Sequence, residues 1–166
     1  MRKPIRPVFA IAAATGAFAL GLALTPAAAD ATSASHPHRA VTIKAVEKGT
    51  AINMVDVAPA DSALGDQLIG TGDLTTPAGR ELGTSSFVGV STDAEPRTAE
   101  LLTFVYELPD GKITTSGTAR LSATGPVFDE KFAITGGTGA YKNATGQVRV
   151  VQETVEQAKV TFSINH

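Results

Sequence analysis

The stretch TAELLTFVYELPDGKITTSGTARL, residues 98–121, decides the fold class. Leu102, Phe104, Tyr106 and Leu108 fall at every second position, and beyond Asp110-Gly111 the same step continues through Ile113, Thr115, Gly117, Ala119 and Leu121. A period of two marks a half-buried strand, because successive side chains point to opposite faces. Asp-Gly between two alternating runs is the strongest short-range sign of a hairpin. Taking Asp110-Gly111 as the two-residue turn sets Pro109 opposite Lys112 and Leu108 opposite Ile113, which places all nine alternating residues on one face. Thr103, Glu107, Thr114, Ser116, Thr118 and Arg120 take the other. An antiparallel sheet with one buried and one wet side follows.

The pattern spreads in both directions. Phe128, Glu130, Phe132 and Ile134 alternate with Asp129 and Lys131, and Val160, Phe162 and Ile164 alternate with Thr161 and Ser163. Upstream, Val41, Ile43 and Ala45 alternate with Thr42 and Lys44, Glu47 continues the apolar side, and residues 51–57 extend the run after Gly49-Thr50. Leu68, Gly70, Gly72 and Leu74 form a face with glycines at interior positions, which leaves space for a ligand or for sheet curvature. Residues 82–92 and 146–152 bring the total to about eight strands at short spacing, so the chain is all-β, a closed antiparallel barrel or a sandwich. The 21 Thr and 14 Val favour strands, and 16 Gly with 9 Pro supply turns. No segment offers the strand–helix alternation of a nucleotide-binding sheet.

Residues 1–29 read differently. A short basic start (Arg2, Lys3, Arg6), a mostly apolar run and small residues before Asp30 predict a secretory signal peptide, with cleavage after Ala29 or after Ala31 equally compatible. The expected product is a secreted, soluble protein with no membrane partner, since no cysteine follows the apolar run for lipid attachment. Residues 30–39 read as a disordered lead-in in which His36 and His38 are part of a solvated tail. Residues 40–166 make one domain. Beyond residue 29 the chain carries 11 Lys and Arg against 16 Asp and Glu, the reverse of a nucleic-acid partner's needs. With no cysteine, and no histidine between Arg39 and Asn165, the usual disulfide, thiolate, metal and triad chemistries lose their central groups.

The most specific segment is FAITGGTGAYKNATG, residues 132–146. It lacks the third glycine of a dinucleotide fingerprint and the Gly-Lys-Ser/Thr of a phosphate loop. It reads as a strand ending in a glycine turn that closes the sheet, with Tyr141 as a turn anchor and a second strand from Gly146. Asn143-Ala144-Thr145 also fits a glycosylation sequon. The segment resembles the strand–turn–strand signature of the allene oxide cyclase and dirigent proteins: an apolar strand, GGTG, an aromatic two positions on, then a small residue and a glycine. Leu64-Gly65-Asp66 followed by Leu74, the strand start at Gly83 and the Asp110-Gly111 hairpin fall in that family's order, so the resemblance covers roughly residues 41–164. It implies an eight-stranded antiparallel barrel with an apolar cavity, a homo-oligomer (dimer or trimer) and activity without a cofactor. The cysteine of the plant cyclases has no counterpart.

A barrel of this kind catalyses chiefly by folding a flexible apolar substrate into a reactive shape, with a polar group to stabilise or move charge. Glu130, flanked on its face by Phe128 and Phe132, is the expected acid or base, and Tyr106 an expected hydrogen-bond donor. Leu68, Gly70, Gly72, Phe104, Phe128, Phe132 and Phe162, with Glu47 and Thr115, are the expected ligand-binding wall. No metal site is expected. Two functions stand: a cofactor-free isomerase or cyclase acting on a small hydrophobic molecule, and a non-catalytic extracellular barrel that binds or carries one.

Overall fold

The computed structural model describes residues 40–57, 59, 61–94 and 98–165. The expected signal peptide and the lead-in with His36 and His38 lie outside the described residues. Eight antiparallel strands follow one another around a closed barrel: β1 (Ala40–Val55), β2 (Gln67–Thr75), β3 (Glu81–Ser91), β4 (Ala99–Leu108), β5 (Gly111–Arg120), β6 (Phe128–Gly137), β7 (Thr145–Thr154) and β8 (Gln157–Asn165). Pairing of β8 with β1, from Ala40 opposite Asn165 to Lys48 opposite Gln157, closes it. Of the two architectures the alternation left open, the chain adopts the barrel, which removes both sheet edges.

The deciding hairpin forms with its faces as expected and its turn one position earlier. Pro109 and Asp110 make the turn, so Leu108 faces Gly111, Glu107 faces Lys112 and Tyr106 faces Ile113. Proline's fixed φ suits the first central position of a type I turn with glycine at its end. The mirror-image turn expected on Asp110-Gly111 needs positive φ at both central residues, and Asn143 is the only non-glycine with positive φ among the described residues. The pairing moves by two residues, an even number, so the faces are unchanged. Leu102, Phe104, Tyr106, Leu108, Ile113, Thr115 and Ala119 are all buried inside the barrel.

Two irregularities shape the interior. In β1, Gly49 faces Gly72 but Ala51 faces Thr71, so Thr50 is an extra residue. A bulge flips the alternation beyond it, which puts Ile52 and Met54 on the side that Glu47 holds before it. Between β5 and β6, pairing covers only Ile113–Ser116 against Ala133–Gly137, and the rest of β6 pairs on its other side with β7.

The two ends of the barrel differ. At one lie the β2–β3, β4–β5 and β6–β7 connections, and the last carries one turn of 3₁₀ helix at Gly139–Tyr141. Here the GGTG segment grips the β4–β5 turn: the Ala140 N–H donates to Asp110 O (2.8 Å), the Thr138 N–H to Lys112 O (2.9 Å), and the Lys112 N–H to Thr138 Oγ1 (3.1 Å). Gly139 has φ +61°, and a Cβ there would lie 2.3 Å from Asp110 O, so the motif's last glycine is what lets the two turns touch. Tyr141 is buried and joins the core. Inside this end, Tyr106 stacks on Phe104 (5.6 Å between centroids) and meets Phe162 edge-on (4.9 Å), while Phe132 meets Phe104 edge-on (5.2 Å). At the opposite end the β1–β2 loop is tied to the end of β3, where the Gly65 N–H donates to Ser91 O and the Ser91 N–H to Asp66 O.

Candidate functional site

The aromatic plug fills only the end that carries the β4–β5 and β6–β7 turns. Toward the other end the interior opens into a cavity of about 330 Å³, lined by one stretch of each strand or its adjoining loop. This is the small end of the roughly 300–1,000 Å³ range of ligand pockets. Its wall is largely apolar, with Leu68, Phe87, Leu102, Phe104, Phe128 and Ala158 inside and Ile52, Met54 and Val155 at the rim. The last three are 48 %, 63 % and 71 % exposed, as side chains at a mouth should be.

Glu47 is the polar feature of the inner wall. Its side of β1 faces inward by the alternation, and the residue is 7 % exposed. The Ser85 hydroxyl, from β3, donates to its Oε1 at 2.5 Å. Its Oε2 is buried with no hydrogen-bond partner among the described residues. The fold makes room for this pair through Gly72 on β2, where a Cβ would stand 3.0 Å from Ser85 Oγ and 3.1 Å from Glu47 Cγ. Burial pushes the Glu47 carboxyl above the usual carboxylate range, against the opposing hydrogen bond from Ser85. A carboxyl so placed can give a proton to a ligand atom or take one from it.

The raised value has a consequence for stability. Relative to the unfolded chain, folding favours the protonated carboxyl, so the stability present in acid is lost as pH rises from the ordinary glutamate range through the raised folded value. Glu47→Gln removes that loss. Melting curves are expected to coincide for the two proteins in acid and to separate in favour of the variant as pH rises; a gap independent of pH contradicts the assignment.

Of the expected ligand-binding wall, Glu47, Leu68, Phe104 and Phe128 line the cavity. Phe132, Phe162 and Thr115 lie deeper, fully buried, and Gly70 is covered by Phe87, whose ring would be 2.5 Å from an added Cβ. Gly72 acts through the room it leaves. Tyr106 is also beneath the cavity wall, and burial, then the nearby Glu47, raise its pKa well above the ordinary tyrosine value. Its hydroxyl and Thr115 Oγ1 are buried without a partner among the described residues. Thr115→Val keeps the shape and drops the unpaired hydroxyl, so denaturant unfolding is expected to show a gain of about 1 kcal/mol. A loss of that size would mean that the hydroxyl is bonded. Glu130 is half-buried and stands on the part of β6 that β5 does not pair with, outside the cavity lining.

Several cavity residues escape the sequence reading. Glu100 is 4 % exposed and lines the cavity, two positions before Leu102 on the same face, so the alternation itself carried the signal. Phe87 had no such signal, since Ser85 and Gly89 share its face of β3 while the apolar Val88 and Val90 take the other. Ile52 and Met54 had none, because the bulge at Thr50 reverses their side.

Comparison with known proteins agrees with the architecture. The profile of the allene oxide cyclase barrel like domain matches residues 46–164. No curated protein matches the chain by sequence. Among solved structures, the chain is similar to a pyocyanin demethylase, with 22 % identity and TM-score 0.64 over 75 % of this chain and 99 % of that one. It is similar to an exo-specific intermolecular Diels-Alderase, with 16 % identity and TM-score 0.64 over 79 % and 100 %. A pterocarpan synthase dirigent protein aligns with 16 % identity and TM-score 0.62 over 78 % and 89 %. At these identities the likeness is one of fold. With an eight-stranded closed barrel and a profile match over most of its length, the chain belongs to the allene oxide cyclase barrel-like family.

Proposed function

We propose that the barrel binds a small hydrophobic molecule in the open-end cavity and converts it as a cofactor-independent isomerase or cyclase, with Glu47 as the acid–base group, after export directed by residues 1–29. One observation carries the reading: the apolar cavity holds a desolvated carboxyl whose second oxygen has no hydrogen-bond partner among the described residues. A carrier needs only apolar walls, and burying a carboxyl without full pairing costs free energy that catalysis would explain. The walls supply the larger part of the effect by holding a flexible substrate in its reactive shape. Glu47 then stabilises or protonates the charge that develops. The names of the similar structures support small-molecule chemistry in barrels of this fold.

Native mass spectrometry of the secreted protein, with and without culture extract, tests the reading. A co-purified small molecule that is converted on incubation is the expected result, and a barrel that stays empty in extract overturns it. With that molecule in hand, Glu47→Gln should abolish most turnover. If Glu130→Gln abolished it and Glu47→Gln did not, the acid–base role would pass to Glu130.

A further inference from the structure

We propose that the cavity selects hydrophobic molecules bearing a basic nitrogen, which binds as an ammonium against the Glu47 carboxylate. This rests on the reading of the cavity as a ligand site and adds the chemical class of the ligand. The charged residues that line the cavity are Glu47, Glu100 and Glu156; among the described residues no lysine, arginine or histidine joins them. Among the described lining residues a ligand carboxylate entering here meets like charge and no cation. An ammonium group supplies a counter-charge to the buried Glu47 carboxylate, whose Oε2 has no hydrogen-bond partner among the described residues.

Two further features fit a cation. Three phenylalanines, Phe87, Phe104 and Phe128, line the same space, and aromatic faces attract organic ammonium groups. The inward carboxyl side chains are also built into the strands and are not accidents of a flexible rim. Glu47 on β1 extends over Gly72 on β2, and Glu100 on β4 extends over Gly89 on β3, where an added Cβ would lie 2.9 Å from Glu100 Oε2. In each case a glycine on the neighbouring strand leaves room for the carboxyl. The unpartnered Glu47 Oε2 provides the acceptor.

The test uses three probes of one size and shape: naphthylmethylamine, naphthylmethanol and naphthoate, titrated calorimetrically into the intact secreted protein near neutral pH. The amine is expected to bind at least roughly tenfold tighter than the alcohol, and the alcohol at least roughly tenfold tighter than the carboxylate. Glu47→Gln keeps the volume and an acceptor for Ser85, and should bring the amine-to-alcohol ratio close to one. Equal binding of all three, tightest binding of naphthoate, or an amine preference that survives Glu47→Gln overturns this inference alone. Binding of none of the three overturns the ligand-site reading with it. Should Glu47→Gln fail to fold, the ranking of the three probes on the unaltered protein decides.

Discussion

Gly111→Ala is expected to destabilise the barrel by about 3 kcal/mol or more, enough to unfold much of it in a marginal background. Gly111 ends the β4–β5 turn at φ +147°, a conformation that L side chains rarely adopt, and an added Cβ would sit 2.1 Å from Thr138 O and 2.9 Å from Thr138 C. Those are backbone atoms, and they are held: the Thr138 N–H bonds to Lys112 O, and the Lys112 N–H to Thr138 Oγ1. Relief therefore requires separating the β4–β5 and β6–β7 turns, which pack together at this end of the barrel. Gly79 is the control, since it too has positive φ (+82°) but an added Cβ would meet nothing within 4 Å. Gly79→Ala should lose only the backbone term, about 1 kcal/mol. Equal losses for the two variants in chemical unfolding would show that the turns do not pack as described.

Phe132→Ala is expected to cost about 3–5 kcal/mol, while Phe128→Ala, four residues earlier on the same face of β6, should cost about 2 kcal/mol or less. Phe132 is fully buried and is locked edge-on to Phe104 and to Phe128 (6.1 Å), so its removal leaves a sealed void. Phe128 lines the open cavity, where water can fill the space left behind. The order of effects should reverse for ligand: Phe128→Ala weakens binding of a naphthalene probe more than Phe132→Ala does. A larger stability loss at Phe128 would place the plug and the cavity at the wrong ends.

The sequence made the faces of β2, β4, β5, β6, β8 and the first half of β1 legible because burial forces alternation. That is why Glu47 and Phe104 were readable as inward-facing although nothing in composition marks them. Register was less legible: the Pro109-Asp110 turn won over Asp110-Gly111 because proline's ring fixes its own φ, yet the even shift spared every face. The bulge at Thr50 was illegible, since one extra residue leaves no mark in a run as mixed as AINMV, and with it went Ile52 and Met54. Glu130 illustrates the other limit. Alternation places it on the inner side with Phe128, but alternation does not tell which inner residues border the cavity: on the same stretch of β6 Phe128 does and Glu130 does not. Glu100 was readable by its step from Leu102, but the run reads as starting at its first apolar residue, which hides a carboxyl one step earlier.

The most direct test of the central claim, that the open-end cavity is where a ligand binds, is a methyl NMR titration of the intact barrel with naphthylmethanol and naphthylmethylamine. Methyl signals of Ile52, Met54, Leu68 and Leu102, which line the cavity, are predicted to shift with a common binding curve, while those of Ile113, Val148 and Ile164, fully buried away from it, stay in place. Shifts confined to the exposed outer residues Ile69, Val88 and Leu101, with the cavity methyls unmoved, would contradict the account.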